Sequence, residues 1–274
     1  MKAIPFYKMS GAGNDFIIID NRTQIVGDAD LSGFIASVCR RKMSAGADGL
    51  ILIEVSEKFD FRWRFFNSDG SKAEMCGNGA RCAARFAHVT GIAGTTLSFE
   101  TEAGVVSAQI NADRVKVKMP DPSDRKLAYP LKLANRSLEI SSINTGVPHA
   151  VVMVDQVADM DVVTLGREIR LHKTFAPAGT NANFVQRIEG NAIEIRTYER
   201  GVEDETLACG TGAIAGALIA ASRFKMNSPI DVKTRSGEYL TIHFSAKDDQ
   251  FNDIYMEGNE RIIYTGELQP DAWK

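Results

Sequence analysis

The 274-residue sequence has no apolar run near the roughly 20 residues of a membrane-spanning helix, and its first residues lack the apolar segment of a signal peptide. It also has no block of charge of one sign, and its net charge is −3. These absences argue against membrane and nucleic-acid partners. We therefore expect a cytoplasmic globular protein, with 44% apolar residues to fill its core.

Cysteine is scarce, and four cysteines are too few for a disulfide scaffold. No two of them form a Cys-x-x-Cys pair, and no histidine cluster accompanies Cys76 and Cys82, so we predict no metal site. The glycine-rich segments lack both the lysine of a nucleotide-binding P-loop and the spacing of a dinucleotide fingerprint. The sequence therefore demands neither a metal nor a cofactor.

A cysteine followed by a glycine turn occurs twice, as Cys76-Gly-Asn-Gly-Ala and, 133 positions later, as Cys209-Gly-Thr-Gly-Ala. The same spacing relates Gly104 to Gly237 in two later segments. A small-residue segment of helical character follows each turn. This ordered repetition predicts an internal duplication, and it predicts that both cysteines lie at helix N-termini.

Each half combines several β-branched or alternating runs with one long helical segment. This pattern predicts an α+β protein of two pseudo-symmetric domains, each a β-sheet or barrel wrapped around a central helix. The apolar spacing of residues 31–41 predicts a further helix, and the charged residues of 199–206 predict a loop. The prolines at 120 and 122 place the boundary between an N-terminal half, 1–119, and a C-terminal half, 120–262, with residues 263–274 returning to the first.

The two cysteine motifs favour proton-transfer chemistry. A thiol at a helix N-terminus has a lowered pKa, so part of it is thiolate and can act as a base. Glycines beside it expose backbone N–H groups that can hold a carboxylate. If the halves pack as a pseudo-twofold pair, the two thiols face a bound carbon from opposite sides. That arrangement suits stereoinversion at a carbon next to a carboxylate, with the carbanion stabilised by N–H donors.

Other candidates are less specific. Cys39 and Cys82 lie on helical faces beside apolar residues, and we interpret both as small core residues. His149, taken alone, is most often a hydrogen-bonded structural histidine. Glu199 and Arg200 have opposite charges and could form an exposed ion pair of little energetic worth. Their position just before the Cys209 turn makes a role in the site equally plausible.

Seven segments of the chain form a distinctive set. They are Gly11-Ala-Gly-Asn-Asp-Phe, Gly46-Ala-Asp-Gly, Phe66-Asn-Ser-Asp-Gly-Ser, Cys76-Gly-Asn-Gly-Ala-Arg-Cys, Gly146-Val-Pro-His, Tyr198-Glu-Arg-Gly and Ala208-Cys-Gly-Thr-Gly. Together they resemble diaminopimelate epimerases, which are cofactor-independent enzymes of lysine and peptidoglycan-precursor synthesis, and the resemblance covers essentially the whole chain.

The resemblance implies that Cys76 and Cys209 are the acid/base pair that interconverts LL- and meso-diaminopimelate. It implies that His149 and Glu199 tune or orient the thiols, and that Glu199 also pairs with the ammonium group at the reacting centre. The remaining implied substrate contacts are the backbone of Gly77, Asn78, Gly210 and Thr211 at that centre, and Asn14, Asn67, Asn181 and Arg200 at the distal end.

The resemblance also implies a homodimer with Tyr264 at its interface. The chain departs from the family pattern at Val147, where many members carry asparagine, and at Gly49, where some carry a polar residue. Two other functions stay open. One is a proline or hydroxyproline racemase on the same scaffold, and the other is a non-enzymatic protein that binds a small ligand or senses redox state through the two cysteines.

Overall fold

The computed structural model describes residues 2–274, so residue 1 of the predicted N-terminal half lies outside the described residues. The chain divides into two compact units. The first contains the residues up to Val117 together with Gly258–Lys274, and the second contains Lys118–Glu257. The domain boundaries at 119/120 and 262/263 stay a prediction.

The first unit contains nine strands, counting the last part of β17, and two α-helices. Their bounds are β1 Ile4–Gly11, β2 Asn14–Asp20, α1 Leu31–Cys39, β3 Gly49–Glu54, β4 Phe61–Asn67, β5 Lys72–Ala73, α2 Gly77–Val89, β6 Thr96–Thr101, β7 Gly104–Asn111 and β8 Arg114–Lys118. Strand β17, Gln250–Leu268, enters this unit at residue 258.

Two of the strand pairs in the first unit, β2 with β3 and β4 with β6, are parallel, and the other pairs with a known register are antiparallel. Both β1 and β8 pair with β17. These last pairings close the main strands of this unit into a barrel.

The bounds of the elements in the second unit are β9 Ser123–Lys132, β10 Ser137–Asn144, β11 Pro148–Met153, α3 Val162–Arg170, β12 Asn181–Ile188, β13 Ala192–Glu199, β14 Asp204–Thr206, α4 Gly210–Phe224, β15 Ile230–Lys233 and β16 Tyr239–Lys247, followed by the first residues of β17. From β10 onward the second unit repeats the order of elements of the first, and strand β9 precedes this repeat.

The two units also share their pairing pattern. In the second unit β11 pairs with β12 and β13 with β15 in parallel, as β2–β3 and β4–β6 do in the first. The short strands β5 and β14 each form a hairpin with the strand before them and lead into the long helix. The duplication and the α+β fold class predicted from the sequence are confirmed.

Each unit is organised around one buried helix. In α2 the residues from Asn78 to Ala84 are all buried, and in α4 the residues from Gly212 to Ala221 are. Most of these residues are alanine, glycine or cysteine, so strands can approach the helix on several sides. Helix α2 packs against β1, β2, β3 and β7, and α4 packs against β10 to β13, β15 and β16.

Three local predictions were wrong. Helix α1 ends at Cys39 rather than at residue 41, because the next residue is extended. Strand β14 occupies the end of the segment predicted as a loop. Strand β9 was missed because most of its residues are exposed and it contains Pro130, both of which weaken the strand pattern. Among the described residues no helix is long and apolar enough to cross a membrane.

Candidate active site

Cys76 is the N-cap residue of α2. Its backbone is extended, with φ −144° and ψ 118°, and its carbonyl accepts a hydrogen bond from the N–H of Ala80 at 2.8 Å. The side chain of Cys76 makes no capping hydrogen bond to this end of the helix. The first N–H groups of α2 therefore have no partner within the helix, which makes this end suitable for an anion.

Cys209 is the N-cap residue of α4 with nearly the same backbone, φ −122° and ψ 112°, and its carbonyl accepts from the N–H of Ala213 at 2.8 Å. Its Sγ lies 3.5 Å from Oγ1 of Thr211. The hydroxyl of the buried Thr145 donates to the carbonyl of Thr211 at 2.9 Å. The prediction that both cysteines lie at helix N-termini is confirmed.

A chain of polar contacts supports the N-terminus of α2. The guanidinium of Arg81 forms a fully buried ion pair with Glu260 and donates from Nη2 to Oδ1 of Asn78 at 2.8 Å. Nδ2 of Asn78 donates to Oδ1 of Asn14 at 2.7 Å, and Nδ2 of Asn14 donates to Asp48 at 3.2 Å. Because arginine only donates and a carboxylate only accepts, the two ends of this chain fix the orientation of both amides.

The far end of this chain is held by charged groups. Arg41 donates to Asp15 at 2.6 Å and 3.0 Å and to Asp48 at 2.8 Å, and Lys8 lies 2.8 Å from Asp15. Burial raises the pKa of Asp15, but the hydrogen bonds from Arg41 and Lys8 outweigh it and hold this pKa at about 2. Asp15 is therefore ionised at neutral pH, and its ion pairs hold the start of β2, where Asn14 lies.

A neutral network supports the second unit's site residues. Oδ1 of Asn183 accepts from the hydroxyl of Thr197 at 2.9 Å. Nδ2 of Asn183 lies 2.9 Å from the carbonyl oxygen of Ala150 and 3.1 Å from Nδ1 of His149. His149, Asn183 and Thr197 are all buried. Nε2 of His149 has no hydrogen-bond partner among the described residues.

His149 is neutral at physiological pH. Burial lowers its pKa, and the positive charge of Arg200 lowers it further, to about 3, against the opposing effect of the Asn183 contact. Burial of His149 therefore fits either of two roles, that of a structural core histidine and that of an active-site residue. Its unpartnered ring nitrogen distinguishes it from a fully hydrogen-bonded core histidine.

Glu199 is the last residue of β13, and Arg200 begins the turn that leads to β14. Burial raises the pKa of Glu199. The backbone N–H of Arg200 donates to Oδ1 of Asn181 at 2.7 Å, and its guanidinium donates to the carbonyl of Ala178 at 3.2 Å. Asn181 thus contacts the end of β13 through its oxygen, and its Nδ2 lies 3.4 Å from the carbonyl oxygen of Pro148.

Three other positions named from the sequence, Asn67, Tyr264 and Gly49, have contacts outside these two polar networks. Nδ2 of Asn67 donates to the hydroxyl of Ser71 at 3.0 Å in the turn before β5. Tyr264 is 45% exposed on β17, with its ring edge against Phe6. A Cβ on Gly49 would lie 2.6 Å from the carbonyl oxygen of Phe66, so close packing between β3 and β4 accounts for glycine there.

The two remaining cysteines are core residues, as predicted. Cys39 is buried on α1, and burial raises the pKa of its thiol to about 12. Cys82 is fully buried on α2 with its Sγ 3.3 Å from Oε2 of Glu260, and burial raises its pKa well above the ordinary value. Neither thiol ionises near neutral pH, so neither is suited to proton transfer.

No role was assigned from the sequence to three residues that support this site: Asn183, Thr145 and Glu260. Asn183 had a usable signal, because it lies two positions after Asn181 and side chains two apart share a face of a strand. Thr145 and Glu260 had none. Glu260 lies in β17 and reaches Arg81 from a position 179 residues away in the chain.

The fold places the chain in a class of two-unit α+β proteins. A phenazine biosynthesis protein of the PhzF family from Bacillus anthracis shares it with a TM-score of 0.75 at 15% identity, covering 98% of this chain and 100% of that one. A probable proline racemase from Agrobacterium radiobacter shares it with a TM-score of 0.71 at 14% identity, covering 98% and 95%.

Sequence similarity identifies one family within this structural class. The profile of the diaminopimelate epimerase family matches residues 6–123 and 141–263. The diaminopimelate epimerase of Aquifex aeolicus is 44% identical over 278 aligned positions, which cover 97% of this chain and 98% of that protein. The chain belongs to the diaminopimelate epimerase family, and its class of enzyme is the isomerases.

Proposed function

We propose that the protein interconverts LL- and meso-diaminopimelate without a cofactor, with Cys76 and Cys209 as its two acid/base residues. The observation that carries this proposal is that the two cysteines are the N-cap residues of corresponding helices in the two duplicated units. Membership of the family supports the substrate. The product serves lysine and peptidoglycan-precursor synthesis.

In the proposed reaction one cysteine is a thiolate and the other a thiol. The thiolate takes the α-proton from one face of the substrate, and the C–H electron pair remains on the α-carbon. The thiol then gives its proton to the opposite face, and its sulfur becomes the thiolate. The configuration is inverted, no proton is gained or lost overall, and the reverse reaction uses the same residues with their roles exchanged.

We assign the carboxylate of the reacting centre to the first N–H groups of the two helix N-termini. These are the backbone groups of Gly77 and Asn78 in α2 and of Gly210 and Thr211 in α4. Positive helix ends stabilise the negative charge that develops as the α-proton leaves. We assign the ammonium group to Glu199, whose carboxyl group lies at the end of β13.

We assign the distal, unreactive end of the substrate to Asn14, Asn67, Asn181 and Arg200. Each asparagine already makes a hydrogen bond to the protein that holds its amide, while each amide retains further hydrogen-bonding capacity. A ligand without the second amino-acid group would leave these polar groups unpaired, so the site discriminates against ordinary amino acids.

A substrate panel tests this proposal. The purified protein is incubated with LL-diaminopimelate, L-proline or trans-4-hydroxy-L-proline, and the stereoisomers are separated by chiral chromatography. We expect conversion of diaminopimelate alone, and conversion that persists in Cys39→Ala, whose thiol lies in the core. Conversion of proline or hydroxyproline with none of diaminopimelate would replace the proposed substrate, and conversion of none would refute the proposed activity.

We also propose a homodimer with Tyr264 of β17 at its interface. The Tyr264 side chain is 45% exposed in the single chain, so it is available to a second copy. Light scattering after size exclusion should give the mass of two chains for the native protein and of one chain for Tyr264→Glu. A native monomer would contradict the proposal. The cytoplasmic location stays a prediction.

A further inference from the structure

We propose that Asn183 holds His149 in the neutral tautomer that carries its proton on Nε2, so that His149 donates a hydrogen bond to a carboxylate of the substrate. Asn183 is then a positioning residue for the reaction. Only the identity of the ligand rests on the proposed function, because the tautomer follows from contacts within the second unit.

The first step of the argument is the orientation of the Asn183 amide. The group 2.9 Å from one end of this amide is the carbonyl oxygen of Ala150, which can only accept a hydrogen bond. The NH₂ group must therefore face Ala150, since the reverse orientation would bring two carbonyl oxygens together. The hydroxyl of Thr197 then donates to the remaining oxygen at 2.9 Å, which completes a consistent set of bonds.

The second step is the tautomer of His149. The same NH₂ group lies 3.1 Å from Nδ1 of the imidazole. A donor at that distance needs a lone pair on Nδ1, and a neutral imidazole with a lone pair on Nδ1 carries its proton on Nε2. Asn183 therefore selects one of the two neutral forms.

The third step is the role of the proton on Nε2. This nitrogen is buried and has no hydrogen-bond partner among residues 2–274. A buried N–H without a partner is costly, so such groups in folded proteins are usually satisfied by water or a ligand. The neighbouring positive charge of Arg200, which helps keep the imidazole neutral, also favours an anionic ligand. A substrate carboxylate meets both requirements.

This arrangement also limits what His149 can do. A neutral ring with Nδ1 already engaged by an N–H group has no free lone pair with which to accept a proton at neutral pH. His149 therefore holds the ligand, and the removal of protons falls to the cysteines. The family resemblance implied that His149 tunes or orients a thiol, whereas in this proposal its Nε2–H group binds a substrate carboxylate.

The ¹⁵N resonances of the imidazole test the tautomer directly. In the full-length protein at pH 7, without substrate, we expect Nδ1 of His149 to give a signal typical of an unprotonated ring nitrogen and Nε2 that of a protonated one. In Asn183→Asp a carboxylate oxygen replaces the NH₂ group. It is repelled by the Ala150 carbonyl and accepts from Nδ1, so the Nδ1 signal should move to the protonated position. The control Thr197→Val keeps the contacts of Asn183 with Ala150 and His149, and its spectrum should match the native one.

A protonated Nδ1 in the native protein, or an unchanged spectrum in Asn183→Asp, would overturn the proposal. Kinetics supply a second test. We expect Asn183→Asp to lower kcat/KM for diaminopimelate by about 10- to 100-fold, the effect of losing one hydrogen bond to a charged group. Native kinetics in Asn183→Asp would overturn the role of Nε2. An inactive native protein that shows the expected tautomer would refute the proposed function alone.

Discussion

The N-termini of α2 and α4 share a backbone but differ in what supports them. Both begin at a cysteine with extended backbone, followed by two glycines within three residues. Around α2 the support is ionic and runs from Glu260 through Arg81 and two asparagines to Asp48. Around α4 it is neutral and consists of amide, hydroxyl and imidazole groups.

The difference teaches which part of a duplicated site is constrained. A helix N-terminus that must present N–H groups to an anion needs a particular backbone and small residues, and both copies have kept these features. The surrounding polar groups need only be hydrogen-bonded, and many combinations of side chains achieve that. We therefore expect the ionic contacts around α2 and the neutral contacts around α4 to be weakened by different substitutions and different changes of pH.

The largest expected effect comes from breaking the ionic support. Glu260→Gln leaves the charge of Arg81 buried without its carboxylate, and loss of one partner of a buried pair costs about 3–5 kcal/mol in free energy of unfolding. Urea denaturation measures this loss. The matched control is Glu139→Gln, which removes a half-exposed ion pair with Arg223 and should cost less than about 1 kcal/mol. Equal effects of the two substitutions would show that the buried pair gives no special support.

The next-largest effect is a difference between the two units in how their stability depends on pH. The pKa of His149 is about 3 in the folded protein, below the ordinary value of 6.5. Between these values the unfolded chain binds a proton that the folded chain does not, so stability falls as pH falls through this window. From pH 6.5 to pH 4 the contribution is about 3 kcal/mol at 1.36 kcal/mol per pH unit.

The measurement is urea unfolding of the native protein and of His149→Gln at pH 7, 5.5 and 4. The native protein should lose more stability than the variant across this range. Glu199, whose raised pKa acts in the opposite direction, is present in both proteins and cancels in the comparison. Asp15 supports the α2 site and loses its contribution only as pH falls below 3.8 towards about 2. Parallel pH profiles for the two proteins would contradict the assignment.

A smaller effect distinguishes the glycines at corresponding positions. A Cβ on Gly212 would lie 2.6 Å from Oδ1 of Asn183, whereas a Cβ on Gly79 would make ordinary contacts at 3.4 Å or more. Gly212→Ala should therefore cost about 1–3 kcal/mol through overpacking. Gly79→Ala should be neutral or stabilising by up to about 1 kcal/mol, because alanine favours a helix. Similar unfolding midpoints for the two variants would refute this difference.

The sequence was sufficient for the parts of the site that are local. The glycine turns and the small-residue helices predicted both cysteine N-caps, and the regular spacing of the two motifs predicted the duplication. The resemblance to a family then predicted the activity, which composition and spacing alone left open. Burial of Cys39 and Cys82 also followed from their helical positions.

The sequence was insufficient where contacts join distant parts of the chain. The ion pair of Arg81 with Glu260 depends on the register of β17 against β1, where Glu260 lies opposite Gly11. Nothing in the residues near Glu260 encodes that register. The selection of Asn183 over Asn181 as the partner of His149 likewise depends on the parallel pairing of β11 with β12, in which Ala150 lies opposite Ala182.

The central claim is that both cysteines take part in proton transfer, and solvent deuterium incorporation tests it most directly. LL-diaminopimelate is incubated in D₂O with the native protein, Cys76→Ala, Cys209→Ala or the control Cys39→Ala, and the isomers are analysed by mass spectrometry. The account predicts meso product with one deuterium at the inverted α-carbon for the native protein and the control, and conversion lowered at least about 10³-fold in each of the other two variants. Near-native conversion by either Cys76→Ala or Cys209→Ala would contradict it.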